Sequence, residues 1–248
     1  MPVRKPRGRK RPSHRRAYAS IVLLVVLGGA SFTYLYLNGY LQGIGSNSTS
    51  NTSTATSSFA YSTGCPAPPS SSTGNIFACV KTTQGSFEIE LFSKEAPKTV
   101  ANFVSLANEG FYNNLVWHRI VNGFVIQTGD PNSRNATGNP SSWGTGGSGT
   151  TIPFENTSLP EGEGYIAMAR GSDPNSATSQ FFININNNTA GLGRGYAVFG
   201  QVITNMNVPL AIGRLPVAST CQSSGGLECP PQQPRQAMVL SITILNGG

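Results

Sequence analysis

Trp117-His118-Arg119-Ile120-Val121-Asn122-Gly123-Phe124-Val125-Ile126-Gln127-Thr128-Gly129-Asp130 is the stretch on which the fold turns. An arginine, a phenylalanine and a glutamine stand five and then three residues apart in an otherwise apolar run. In an extended strand, side chains two apart share a face and neighbours alternate. Gly123 lets the run bend and restart, so the pattern predicts strands at 117–121 and 124–128. Arg119 and Gln127 then project toward one place, with Phe124 beside them. A second run, Ser179-Gln180-Phe181-Phe182-Ile183-Asn184, carries two adjacent phenylalanines that must point opposite ways. Phe181 is expected in the core with Trp117 and Phe199. His118 is expected to be packed or hydrogen-bonded rather than a catalytic base.

Working outward, 77–83 and 86–92 alternate around Gln84-Gly85, a hairpin signal. A helix is predicted from Ala96 to Asn108, with Pro97 in its first turn, Gly110 past its end, and Val100, Phe103, Val104 and Ala107 as its buried stripe. Further strands are predicted at 165–169, 180–185, 197–203 and 238–245, with a short helix near 205–212. Many short strands and few helices indicate a mainly β domain, an antiparallel barrel or sandwich. Asp130 to Pro153 is too rich in Gly and Ser for regular structure, and a loop that long is usually functional or mobile.

The two motifs together resemble the cyclophilin family of peptidyl-prolyl isomerases, from about Phe77 to Leu245. The resemblance implies a closed eight-stranded antiparallel β-barrel capped by two helices. It implies Arg119 and Gln127 as catalytic residues. It implies Phe124, Val125, Ala169, Gln180, Phe182, Leu192 and Tyr196 as the substrate-binding pocket. Val125 stands where many members carry methionine. Tyr196 stands where many eukaryotic members carry histidine and is similar to the bacterial-type branch. Gly191 replaces a tryptophan common in the family, which removes an apolar wall and an indole donor. The chemistry so implied needs no cofactor and no metal; its partners are proline-containing polypeptides, and the chain is expected to act as a monomer.

Charge divides the chain. Of the 17 Lys and Arg, eight lie in residues 1–16, where no acid stands, which leaves nine basic against ten acidic residues in the remainder. That near-neutral body argues against nucleic-acid binding. Residues 17–37 are predominantly apolar, and as a helix they would be about 31 Å long, enough to span a bilayer. With the basic tail held cytoplasmic by the positive-inside rule, everything after Leu37 faces outward. A cleaved signal peptide is the rival reading, since Gly28 to Ser31 are small, but the apolar run continues past them. Residues 38–75 are rich in Ser, Thr, Asn and Pro and read as a disordered stalk. The expected order is a basic tail 1–16, a transmembrane signal-anchor helix 17–37, a linker 38–75 and an extracytoplasmic isomerase domain 76–248 at the cell membrane.

Four cysteines form an even set in that outward part, so disulfides are the default. The local pairs Cys65–Cys79 and Cys221–Cys229 are favoured, with the other connectivities left open. Zinc is rejected because the spacings are not C-x-x-C and the chain has two histidines. Three functions compete: a prolyl isomerase assisting the folding of exported proteins, a non-catalytic module docking proline-containing peptides or acting as a chaperone, and a cell-surface structural protein. An intact Arg119 argues against the second, and a complete pocket against the third.

Overall fold

The fold begins as a hairpin in which β1 (Ile76–Thr82) pairs antiparallel with β2 (Gly85–Leu91), Thr82 opposite Gly85. The turn therefore centres on Thr83-Gln84, one residue earlier than Gln84-Gly85 suggests. The Thr82 hydroxyl fixes it, accepting from the Gln84 N–H at 3.0 Å and donating to the Gly85 carbonyl at 2.7 Å. The computed structural model describes residues 64–65, 75–223, 225 and 229–246. The basic tail, the apolar segment 17–37 and nearly all of the linker lie outside the described residues. Among the described residues, no helix is long and apolar enough to cross a membrane.

Helix α1 (Pro97–Asn108) starts on proline but has Ala96 at its N-cap, a residue with no capping side chain. Glu155 supplies the cap from the long loop: its carboxylate accepts from the Lys98 N–H at 3.0 Å, the Thr99 N–H at 2.8 Å and the Thr99 hydroxyl at 2.7 Å. This satisfies orphan donors and places negative charge at the positive end of the helix. The buried stripe is Thr99, Val100, Phe103, Leu106 and Ala107; Val104, expected there, is only partly buried. Phe103 packs at the centre of the core, with ring centroids 5.2 Å from Tyr112, 5.4 Å from Phe181 and 5.3 Å from Phe199. Trp117, Phe181 and Phe199 are fully buried, as their positions in the sequence imply.

The remaining strands are β3 (Leu115–Val116), β4 (Arg119–Val121), β5 (Val125–Thr128), β6 (Tyr165–Met168), β7 (Phe181–Asn184), β8 (Ala197–Thr204) and β9 (Met238–Asn246). With the hairpin they form one antiparallel sheet in the order β3-β9-β1-β2-β8-β6-β7-β5-β4. The expected barrel of eight strands closed on itself is corrected here: nine strands lie among the described residues, and the ladder stays open between β3 and β4. These strands are consecutive in the chain and of two and three residues. Their neighbouring donors go elsewhere, the Trp117 N–H to the Ala237 carbonyl at 2.8 Å and the Ile120 N–H to the Cys229 carbonyl at 2.9 Å.

Helices also exceed the expected two among the described residues. Besides α1 there are α3 (Asn207–Gly213), which packs Val208 and Ile212 into the core, and the single turns α2 (Thr189–Leu192) and α4 (Thr220–Ser223). Both local cysteine pairs are bonded. Cys65–Cys79 ties residue 65 to β1, and Cys221–Cys229 closes a loop beside β4, with Cα separations of 5.7 and 4.2 Å.

Candidate active site

Cross-strand partners share a sheet face, so the strand registers alone assemble the site. Arg119 on β4 lies opposite Gln127 on β5, Gln127 opposite Phe182 on β7, Phe182 opposite Ala167 on β6, and Ala167 opposite Val198 on β8. That row faces away from the main core. Val125, two residues before Gln127, and Ala169, two after Ala167, continue the same face. Val125, Ala167, Phe182 and Val198 form a second, smaller apolar cluster, fringed by Phe124, Ala169, Leu192 and Tyr196. The result is a cup of about 210 Å³ lined by Arg119, Phe124, Val125, Gln127, Ala169, Arg170, Phe182, Leu192 and Tyr196.

Each wall has a local cause. β4 and β5 are joined by Asn122-Gly123-Phe124, and Gly123 adopts φ +71°, a backbone region that a side chain disfavours. The turn sets the Phe124 ring 5.9 Å from the guanidinium carbon of Arg119, within reach of a cation–π contact. Phe182 meets Tyr196 edge to face at 5.1 Å. Burial lowers the pKa of Arg119 from its usual value, with Tyr196 opposing the shift. A guanidinium remains charged at neutral pH all the same.

Behind the cup runs a chain of amide hydrogen bonds. Arg119 Nη1 donates to Gln127 Oε1 at 3.5 Å, and Gln127 Nε2 donates to Gln180 Oε1 at 2.9 Å. Gln180 Nε2 in turn donates to the carbonyls of Gly144 at 3.0 Å and Gly146 at 2.7 Å. Those glycines are held by the buried Asp130, whose Oδ2 accepts from the N–H groups of Gly144 and of Gly146 and whose Oδ1 accepts from the Asn132 N–H at 2.8 Å. Gln180 steadies Gln127 and lines, with Gly144 and Gly146, an adjoining open cavity of about 500 Å³ that shares Gln127, Ala169 and Arg170 with the cup.

Sequence reading missed Asp130 and Arg170. Asp130 ends the decisive stretch and precedes a proline, and its Asx turn was the available signal. Arg170 follows Ala169 directly; its Nε donates to the Gly195 carbonyl at 2.8 Å, and its guanidinium lies 5.3 Å from the Tyr196 ring. It thus fixes the turn that presents Tyr196. His118 is buried, and burial holds its pKa down to about 4, with the Asp130 carboxylate acting in the opposite sense. A histidine neutral and buried at pH 7 is a packing residue, as expected. Among the described residues no group of three His, Cys, Asp or Glu could hold a metal ion.

Comparison with known proteins agrees with this geometry. Residues 77–233 match the family described as cyclophilin type peptidyl-prolyl cis-trans isomerase/CLD. A peptidyl-prolyl cis-trans isomerase of Acinetobacter baylyi is 35% identical over 181 residues, covering 69% of this chain and 88% of its own. Peptidyl-prolyl cis-trans isomerase B of Escherichia coli is 39% identical over 139 residues, covering 51% and 77%. A crystal structure of a cyclophilin type isomerase from Cryptosporidium parvum superposes with a TM-score of 0.58 at 25% identity, covering 70% of this chain and 99% of that one. The chain accordingly belongs to the cyclophilin-type peptidyl-prolyl cis-trans isomerases.

Proposed function

We propose that the cup seats the proline ring of a polypeptide and that Arg119 stabilises the peptide bond before it in its twisted state. The two planar forms before proline differ by about 0.5–1 kcal/mol, while the barrier between them is about 18–20 kcal/mol. At the top of that barrier resonance is lost and the prolyl nitrogen regains a lone pair. A guanidinium can donate to that nitrogen only there, so the interaction is differential rather than uniform binding. Gln127 holds a neighbouring substrate carbonyl. Phe124, Val125, Phe182, Leu192 and Tyr196 seat the ring and exclude water, and Ala169 leaves room for the chain. No proton transfer is needed, which suits a site whose nearest histidine is buried and neutral.

The observation that carries this reading is the cross-strand row that sets a cationic fork and an amide at the rim of an apolar cup. A protease-coupled assay on a proline tetrapeptide tests it. Arg119→Ala should lose about tenfold or more in turnover, about 1.4 kcal/mol per factor of ten, with peptide binding weakened less. Equal turnover in the two proteins would remove Arg119 from the mechanism.

We further read the enzyme as a membrane-anchored member of the bacterial-type branch that assists the folding of exported proteins and works as a monomer. Tyr196, the basic residues before an apolar run at 17–37, and two disulfides support that reading. Protease added to intact cells should release a soluble, active fragment cut within residues 38–75; retention of the whole chain inside the cell would overturn the topology.

A further inference from the structure

A second cavity, of about 490 Å³, joins the cup at Arg119, Gln127 and Tyr196. Two loops wall it. Pro140 and Trp143 come from the long loop after β5, where Trp143 is nine-tenths buried. Ala218 and Pro230 come from the base of the disulfide-closed loop. That base is fastened by the Ala218 N–H to the Pro230 carbonyl at 2.9 Å and by a bridge between Val217 and Pro231. Cys229 itself accepts from the N–H of Ile120, the residue after Arg119, at 2.9 Å. The Cys221–Cys229 bond thus links the far side of the loop to the backbone that carries the arginine.

A polypeptide with its proline in the cup advances about 3.3 Å per residue, so its flanking residues must cross the surface that adjoins the cup. The wall at Trp143, Pro140, Ala218 and Pro230 offers apolar and aromatic area and no carboxylate. Water displaced from such a wall favours a side chain of the same character. We infer that this cavity is a subsite for an apolar or aromatic residue flanking the substrate proline, and that the Cys221–Cys229 disulfide holds its outer wall. The inference rests on the isomerase reading of the cup and deepens it: the chain selects its clients by the neighbour of proline, and selection depends on an oxidised loop.

The test is a set of short peptides in which proline is flanked on either side by alanine, leucine, phenylalanine or aspartate. With the native disulfide, kcat/KM for phenylalanine or leucine at one flank should exceed that for alanine by about tenfold, the scale of apolar pocket selectivity. Trp143→Ala, and separately the double change Cys221→Ser with Cys229→Ser, should bring that ratio to within about twofold. Ala218→Trp fills the cavity without emptying any packed site, and should abolish the ratio in a protein whose melting curve remains cooperative. An active enzyme with no flank preference, or with a preference that survives all three changes, overturns the subsite alone. A wild-type protein inactive on every peptide overturns the isomerase reading and the subsite with it.

Discussion

Two rows of side chains cross the same four strands one residue apart and have opposite fates. Ile120, Ile126, Ile183 and Ile166 pair across β4, β5, β7 and β6 and are all buried in the main core. Arg119, Gln127, Phe182 and Ala167 pair across the same strands and build the rim and floor of the cup. The inward row is a single residue type, β-branched and apolar, suited to a pleated packing surface. The outward row mixes a cation, an amide, a ring and a methyl group. A slip of one residue in register would exchange the rows completely. Foldability and chemistry are therefore written in alternate letters of the same strands, and each should be changeable without the other.

Neighbouring residues on β5 test that separation most severely. Ile126→Ala should cost about 2–5 kcal/mol of stability, read as a lower urea midpoint, because it leaves a void between the sheet and α3. Gln127→Ala should cost no more than about 1 kcal/mol, the worth of a partly exposed hydrogen bond. It should nonetheless lower kcat/KM about tenfold. Equal loss of stability in the two variants would show that the rows are one structural unit.

One position further along, the outward face closes over. Asn184, opposite Val125, is buried, and its amide donates to Glu161 at 2.7 Å; Asn188 bonds Asn184 at 2.7 Å and the Phe124 carbonyl at 2.9 Å. Burial raises the Glu161 pKa to about 7 against the lowering effect of the Asn184 hydrogen bond. A carboxyl raised from its unfolded value near 4.5 contributes its full stability below that value and loses it as pH rises through about 7. After solvent screening, the loss is on the order of 2 kcal/mol. His118, lowered to about 4, acts in the other direction, its neutral form being progressively penalised as pH falls below 6.5. The two slopes oppose each other between about pH 4.5 and 6.5, so melting temperature should show a broad maximum across that window and fall on either side. Glu161→Gln should remove the opposing slope, so that melting temperature rises from about pH 4 to 6.5 and stays level above it, whereas an unchanged profile would assign the pH dependence to other groups.

What the sequence disclosed follows from the same alternation. Period two put Arg119 and Gln127 on one face and set Phe181 against Phe182, because a strand's geometry is local and leaves no choice. The glycine at 123 marked the turn for the same reason. The parts that stayed hidden depend on contacts distant in the chain. Glu155 caps α1 from 57 residues away, and no local signal at Ala96 announces it. β3 is two residues long and owes its existence to β9. The open ladder depends on donors of Trp117 and Ile120 finding loop carbonyls. In the loop from Asp130 to Pro153 the order comes from backbone N–H groups gathered on one carboxylate, which leaves no periodic trace in the side chains. Arg170 was overlooked because its partners, Gly195 and Tyr196, lie across the cup rather than along its own strand.

That loop also gives the finest way to probe the outward row, through residues outside it. Asp130 uses Oδ2 to hold the N–H groups of Gly144 and Gly146 and Oδ1 to hold that of Asn132. Asparagine at this position has one oxygen in place of two, so whichever way the amide is turned, a donor faces a donor. The Gly144 and Gly146 carbonyls should then withdraw from Gln180, whose hold on Gln127 loosens, and Gln127 in turn positions itself less well beside Arg119. Asp130→Asn should lower kcat/KM about fivefold to tenfold, roughly 1–1.4 kcal/mol, mainly through kcat, since the cup's apolar walls are untouched. Gly146→Ala attacks the same contact from the other side, because an added Cβ would collide with the Asp130 carboxylate, and should shift kcat in the same direction. If both variants kept full turnover, Gln127 would be positioned by its own strand alone, and the amide chain behind it would be packing rather than part of the catalytic geometry.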